Sequence, residues 1–491
     1  MAIRTLFKRI ILLTAAVLLC IGLGVGTLGN LSHKSYLAAL IIAILMAVSL
    51  TWIIKNHPGV LTVFDRFSPP TVCAAVTVLC LLLNGLWVFC FQPVQAPDYR
   101  TFYEAALNLS EGNQLVNQDY ISMFPHILGY AAFLSIFLLA FGQNILTAAI
   151  LNVLLTGASG VLIYVLTLCW TGKRSAAAII GFLWAVCPSK LLYNTMALSE
   201  PYYTFHLLLF LLLSSLAVDC SQRSDSRERG KKATSSVLRA VVLGLLGGLI
   251  LALINSARPI GLIPIIALLI WLLLLRKNSD RIKRMGSATY LVALLVTYIL
   301  AGQAWNTYAA TKLGQAPPSV PGYSIYVGFN PETRGSYADG DMELLQGRYF
   351  GEYDRNADAA QRSMLESAKD RIRETKSSIP TLMIHKLGTL LGHDEGGAFY
   401  SSESLSARAY VLWCVASNIW YYFVCILALA GGVRLWGKKW RDDSLWLVPL
   451  CLVGVILAQL LVEVAARYHY CLIPLLLLMA GLTIEPSKKP G

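Results

Sequence analysis

Residues 145–169 read ILTAAILNVLLTGASGVLIYVLTLC, twenty-five positions without a charge, and the basic pair Lys173 and Arg174 lies just beyond them. A hydrocarbon layer of roughly 30 Å is crossed by about 20 helical residues, so this stretch reads as a membrane helix with a basic flank. Comparable apolar runs recur at 10–28, 36–54, 71–91, 126–142, 176–190, 202–218, 237–256, 259–275, 287–305, 409–431, 445–463 and 467–483. The composition agrees: of 491 residues 56% are hydrophobic and 14% charged, with a mean hydropathy of +0.61. Soluble domains carry about a quarter charged residues. The expected fold class is an all-α polytopic membrane protein; a soluble enzyme, a secreted disulfide scaffold and a disordered chain are excluded. The eleven cysteines form no CxxC pair and sit almost wholly within apolar runs, as at Cys20, Cys73, Cys80, Cys169, Cys425 and Cys451. They read as small apolar residues and not as a metal or disulfide framework.

Lys and Arg number 40 against 27 Asp and Glu, a net charge of +13. The excess gathers in short loops: Arg4, Lys8 and Arg9; Lys55 and Arg66; Lys173 and Arg174; Arg223 to Lys232; Arg276 to Arg284; Arg434 to Arg441; Lys488 and Lys489. Cytoplasmic loops carry such an excess, so the charge is an orientation signal and not a nucleic-acid surface. The first run has a basic flank like a signal peptide but no small-residue cleavage site, and a retained helix is expected. With the N-terminus inside, three crossings place 92–125 outside. Two full crossings, 126–142 and 145–169, would then leave Lys173 and Arg174 outside as well. The conflict resolves if one run stays at the outer interface. Run 126–142 is the shorter and carries Pro125, Gly129 and Gly142 about it. About twelve crossings are expected, thirteen if that run spans. Segments 191–201, 257–258 and 306–408 then lie outside.

Two outer segments are large. In the first, 92–125, YEAALNLSEGN reads as a short helix ended by Gly112. The second opens with APPSVPGYS, continues with a helical pattern from Met342 to Thr375, and includes PTLMIHKLGTLLG, which has the character of an interfacial helix. The expected organisation is two accessory N-terminal helices (1–70), a transmembrane core (71–305), an extracytoplasmic loop domain (306–408) and C-terminal helices (409–491). No internal repeat is evident, which argues against a transporter built from repeated halves.

The outer polar groups are few: Asp98 in QAPDYR, His126 in MFPHILGY, Glu200 in ALSEPYY, Arg258 in NSARPIG, and Glu463 and Arg467 in VEVAARYHY. Ionisable residues at membrane depth are costly and usually functional. There is no Walker A loop, HExxH, GxSxG or GxGxxG in a strand–turn–helix context, so nucleotide-driven transport and zinc proteolysis are not expected.

Asp98 in the first outer loop, MFPHILGY after it, LSEPYY opening a helix, RPIGLIP, VGFNPETRGSY in the late loop and EVAARYHYCLIP together resemble the GT-C membrane glycosyltransferases. The likeness is to the protein O-mannosyltransferases and aminoarabinose transferases, from about residue 71 onward. Two features depart from that pattern: two helices precede the family's usual first one, and Glu200 stands alone where the family carries an acidic pair. The resemblance implies a GT-C fold with outer juxtamembrane helices. It also implies transfer of a monosaccharide, with inversion, from a polyprenyl-phosphate carrier to a hydroxyl or amine of a lipid, glycan or protein. The site would face outward from the cytoplasmic membrane, among the membrane lipids that hold the donor's tail.

Within that reading Asp98 takes the acceptor proton, beside Tyr99, Phe102 and Tyr103; the alternative is a helix-capping Asp. Glu200 orients the acceptor or contacts a metal, or caps its helix. Arg258 and Arg467 suit the donor phosphate through their guanidinium forks. The alternatives are snorkelling for Arg258 and an i,i+4 bridge to Glu463 for Arg467. Tyr468 and His469 would line the same phosphate site, and His126 is a metal or phosphate contact or a hydrogen-bonded interfacial histidine. His206 reads as a packed residue. A divalent metal, Mg or Mn, is left open with Asp98 and Glu200 as candidate ligands. The late loop from Tyr323 to Asp341 would cover the site. A lipid-linked glycan transporter or a non-catalytic membrane scaffold are the competing classes.

Overall fold

The computed structural model describes residues 2–29, 34–219, 229–276, 281–437 and 443–484. The basic stretches Arg223 to Lys232, Arg276 to Arg284 and Arg434 to Arg441, in part, and Lys488 and Lys489, wholly, lie outside the described residues. Among the described residues the secondary structure is helical throughout. The chain opens with α1 (Ala2–Leu28), α2 (Lys34–Asn56) and α3 (Pro69–Cys90), followed by α4 (Pro97–Glu111), α5 (Gln118–Met123) and α6 (His126–Phe141). Next come α7 (Ile145–Thr171), α8 (Arg174–Ala185), the short α9 (Pro188–Tyr193), α10 (Glu200–Asp219) and α11 (Arg229–Ala257). α12 (Leu262–Ile270), extended by a π-helical turn at Trp271–Leu275, and α13 (Arg281–Leu313) lead into the late loop region. There α14 (Gly322–Gly328), α15 (Asp339–Gly347), α16 (Ala357–Glu374), α17 (Ile379–Leu391) and α18 (Gly396–Tyr400) precede α19 (Ala407–Gly437), α20 (Leu447–Leu461) and α21 (Leu472–Gly481). Every apolar run read from the sequence lies in or largely within a helix. Among the described residues eight helices are long and apolar enough to cross a membrane, with shorter apolar helices beside them.

The contacts sort the helix ends onto two faces. At one, Lys8 pairs with Asp443, Trp271 donates to the Asp443 carbonyl and Trp170 donates to Ser444. The starts of α1 and α8 and the ends of α7 and α12 therefore share a basic end. The opposite end gathers the long loops. α6 has both of its ends there. It packs along α4, with Gln143 just past its C-terminus donating to Ser110 near the end of α4. Leu146 and Ala149, at the start of α7, pack against Val88 at the loop-rich end of α3. So α6 returns the chain to the end of the bundle it came from.

Local chemistry sets the ends of these helices. Ser68 caps α3 by accepting from the Thr71 amide, with Pro69 and Pro70 supplying the first turn. Pro97 opens α4, and Gly112 ends it at φ +73°, a left-handed conformation that favours glycine. α8 has only 12 residues, too few to span. Its crossing is completed by α9 and the irregular stretch 194–199, which is buried. Irregular backbone at that depth needs partners inside the protein. Asn152 donates to the Met196 carbonyl, Gln95 donates to the Thr195 carbonyl and accepts from the Ala197 amide, and Asn194 is held between Asn84 and Thr156. This network delivers Glu200 to the N-terminus of α10. The segment 191–201 is thus largely buried within the protein.

The pattern from Met342 to Thr375 is two helices, α15 and α16, broken where Asp354 and Arg355 take positive φ. α17 is the expected helix of PTLMIHKLGTLLG, and it packs on α1 through small residues. A Cβ on Gly26 would lie 2.3 Å from the Gly392 Cα, and one on Gly388 would lie 2.6 Å from Val25 Cγ1. Small residues four apart let helix backbones approach this closely. Backbone cannot yield there, so Gly26→Leu is expected to destabilise the protein by about 1–3 kcal/mol. Gly24→Leu, at a position with nothing within 4 Å, serves as the control. Thermal unfolding in detergent should show a lower midpoint for the first variant alone.

Candidate active site

At the loop-rich end four elements bring their charged side chains together. Arg467, in a 3-10 turn at Ala466–His469 between α20 and α21, donates from Nη2 to Asp98 Oδ2 at 2.6 Å. Its Nε lies 3.9 Å from Glu200 Oε1. Glu200 in turn accepts from Arg258 Nη2 at 2.7 Å, and Arg258 Nε donates to Ser199 Oγ at 3.2 Å. The result is an alternating chain Asp98–Arg467–Glu200–Arg258 drawn from α4, the 466–469 turn, α10 and the end of α11. Its members differ in exposure: the side chains of Glu200 and Arg467 are 0% and 9% exposed, whereas Asp98 is 47% exposed. The open end of the chain is therefore a carboxylate and the closed end a buried ion pair.

Tyrosines enclose the cations. The Arg467 guanidinium carbon lies 5.6 Å from the Tyr99 ring centroid and 5.5 Å from those of Tyr400 and Tyr468. Tyr468 also faces Arg258 at 5.4 Å. Several buried polar atoms here have no hydrogen-bond partner among the described residues: Nε and Nη1 of Arg467, Oε2 of Glu200 and the hydroxyls of Tyr99 and Tyr193. A buried polar atom left unmatched costs roughly 1–3 kcal/mol, more for a charged group, so the cluster has unused capacity for both a further acceptor and a further donor. His126, at the start of α6, is half-buried. Burial and then the Arg258 and Arg467 guanidiniums push its imidazole down to about 3, which makes it neutral at physiological pH.

Residues 462–465 form an extended strap and not a helix. The Glu463 amide donates to the Ser324 carbonyl and the Val464 amide to the Gly335 carbonyl. Lys386 of α17 fastens the same strap, its ammonium donating to the carbonyls of Gly328, Leu460 and Val462 at 2.9, 2.9 and 2.5 Å. Burial raises the Glu463 carboxyl above the ordinary value; Arg467 opposes that shift and Asp98 adds to it. Segment 323–341 lies against this strap, and its Tyr323 ring meets Phe124 at 5.4 Å.

Several expectations need correction. Arg467 is not bridged to Glu463 along a helix, because residues 462–465 are extended; its partners come from α4 and α10. Asp98 does not cap α4: Ala96 holds the cap position without a side-chain bond, and Asp98 faces Arg467. Arg258 is only 12% exposed and ion-paired, so it does not snorkel. His469 turns from the phosphate-type cluster to a buried Asp394. His206 is packed, its Nδ1 against the Tyr202 carbonyl and its ring beside Phe133 and Tyr202. Glu200 and Asp98 leave no room for a metal between them, since the Arg467 guanidinium already occupies that place. Among the described residues no group of three or more His, Cys, Asp or Glu is arranged to hold one. The residues present do not fit a divalent ion at this pair. Tyr400 and Tyr193 carried no signal in the sequence. Asp394 had one, the acidic pair before two glycines in HDEGG (393–397).

No family model matches the chain, and no curated protein matches it. Two solved structures are similar to it. One is the archaeal oligosaccharyltransferase AglB from Archaeoglobus fulgidus in complex with an inhibitory peptide and a dolichol-phosphate. The TM-score is 0.47 and the identity 12%, over 86% of this chain and 50% of that one. The other is the Archaeoglobus fulgidus oligosaccharyltransferase tethered to an acceptor peptide with an NVT sequon. Here the TM-score is 0.45 and the identity 14%, over 84% and 49% of the two chains. The chain spans about half the length of either structure.

Proposed function

We propose that this protein is a membrane glycosyltransferase of the GT-C type that moves a monosaccharide from a polyprenyl-phosphate carrier to an acceptor hydroxyl or amine. One observation carries the reading: Arg467 is buried among tyrosines with two hydrogen-bond donors unmatched, and it sits beside a half-exposed carboxylate. A phosphate oxygen satisfies those donors and an acceptor hydroxyl can approach that carboxylate. The acceptor oxygen attacks C1 of the sugar, the C1–O bond to phosphate breaks, and polyprenyl phosphate leaves with the bonding pair. The acceptor proton passes to Asp98. A single displacement of this kind inverts C1. Arg467, with Arg258 behind it, meets the charge developing on the leaving phosphate in a site shielded from water. Tyr99 and Tyr468 wall the site, His126 stands by as a neutral imidazole, and segment 323–341 covers the entrance. The basic residues at the opposite end support a placement of the loop-rich face on the outside of the cytoplasmic membrane.

The test uses purified full-length protein in vesicles with a labelled polyprenyl-phosphate sugar. Asp98→Asn keeps an oxygen for Arg467 but cannot take the proton, and transfer is expected to fall by about 10²–10⁴-fold. Transfer at the wild-type rate in that variant would remove the base assignment. Absence of transfer from any polyprenyl-phosphate donor tried with the wild type would sink the reading as a whole.

A further inference from the structure

Two residues after Arg467, the imidazole of His469 donates from Nε2 to Asp394 Oδ1 at 3.1 Å. The other oxygen of Asp394 accepts from the Ser189 hydroxyl at 2.5 Å, and its amide donates to Asn418 Oδ1 at 2.8 Å. The side chains of Asp394 and His469 are 0% and 1% exposed. The His469 ring stacks on Tyr421 at 5.2 Å, and Tyr421 donates to the Leu391 carbonyl. The glycines after Asp394 let this segment wedge against α9: a Cβ on Gly396 would lie 2.0 Å from the Tyr193 hydroxyl, and one on Gly397 2.6 Å from the Ser189 carbonyl. Ser, Asp and His do not form a nucleophilic relay, because the aspartate is in the middle and the serine hydroxyl has no imidazole to take its proton.

The two arms of Asp394 lead to the two halves of the ion chain. Ser189 lies in α9, on the segment that ends at Glu200, and His469 closes the turn that carries Arg467. We propose that Asp394 is a positioning residue, whose carboxylate ties α9 to the 466–469 turn and so sets the spacing of Arg467 from Glu200 and Asp98. It touches no reacting group. A buried carboxylate with two matched donors is suited to this, since either donor lost leaves a charge without compensation and the arrangement has one low-energy form. The positional claim stands on this geometry; its consequence for donor binding rests on the proposed function.

Hydrogen exchange of the full-length protein tests the positional claim without a donor. Asp394→Asn presents an N–H to one of its two donors, and His469→Leu removes the other arm. Both are expected to speed exchange in the peptides covering 463–471 and 188–200 by about tenfold or more. His469→Gln keeps an N–H donor near the Nε2 position and should stay close to wild type. If His469→Leu does not fold, Asp394→Asn set against His469→Gln decides, and unchanged exchange in 463–471 for Asp394→Asn overturns the claim. The second arm measures polyprenyl-phosphate affinity. Asp394→Asn should weaken it in the wild type and add nothing in an Arg467→Lys background; additive losses would mean that Asp394 does not act through Arg467. A wild-type protein that binds no polyprenyl phosphate would instead count against the proposed function and leave the exchange result to decide on Asp394.

Discussion

Arg467→Met is expected to cut sugar transfer by about 10²–10³-fold and to lower the thermal midpoint at the same time. Both effects have one cause. The side chain is 9% exposed and its guanidinium meets Asp98 at 2.6 Å and Glu200 at 3.9 Å. Methionine fills similar volume, so the change removes charge and donors with little cavity. Removing one partner from a buried ion network costs about 3–5 kcal/mol, because the remaining charge keeps its desolvation penalty. Loss of a preorganised group that meets transition-state charge costs about 10²–10³ in turnover. Arg467→Lys should separate the two. A lysine keeps the charge at one partner but not the planar fork, so it should recover most of the midpoint and little of the transfer. Donor titration in vesicles and thermal unfolding in detergent read the two quantities. A methionine variant that transfers at the wild-type rate would remove Arg467 from the site.

Glu200→Ala should give a comparable loss of stability. Its carboxylate is fully buried between two guanidiniums, with Arg258 at 2.7 Å. Without it two like charges face each other in a low-dielectric place, and a loss of about 3–5 kcal/mol is expected from the missing partner. The compensating change makes the origin visible. Glu200→Ala combined with Arg258→Met removes one cation together with the anion, and should recover a substantial part of the midpoint lost by the single variant. A double variant no more stable than Glu200→Ala would show that packing, and not charge, accounts for the loss. Activity should stay low in both, since Arg467 loses the carboxylate behind it.

The unequal exposure along the ion chain connects these outcomes. Asp98 is the only member of the four that is about half-exposed, so its substitution should change transfer far more than stability. Glu200 at the closed end should show the reverse emphasis.

Much of the architecture was legible from one-dimensional patterns. Charge-free runs mark helices because hydrocarbon admits no unpaired polar backbone. The pair Lys173 and Arg174 was enough to require that one of two neighbouring runs stay at one face, and α6 returns to the end of the bundle it came from. Gly112 ended its helix where the sequence indicated. The limits were also physical. The pattern 342–375 carries helical periodicity on both sides of Asp354 and Arg355, and the break there is marked only by Gly347, Gly351 and the cap residue Asn356. The burial of the segment before Glu200 had no local signal, because its partners, Asn84, Gln95, Asn152 and Thr156, come from other parts of the chain.

The four charged residues of the ion chain stand out in the sequence, but their pairing does not. Spacing favoured Glu463 with Arg467, four apart; the chain used Asp98, 369 residues away. Pairing depends on which helix ends meet, and that is decided by packing among helices whose apolar surfaces are nearly interchangeable. For the same reason His469 and Arg467, two apart, serve different clusters. By itself the sequence determined the membrane class, the apolar helices and the short roster of charges between them, because each follows from transfer of local segments into hydrocarbon. Only the tertiary structure decided who neutralises whom, which donors stay unmatched and which aspartate stands behind the arginine, because those are distances between segments that the chain order does not contain.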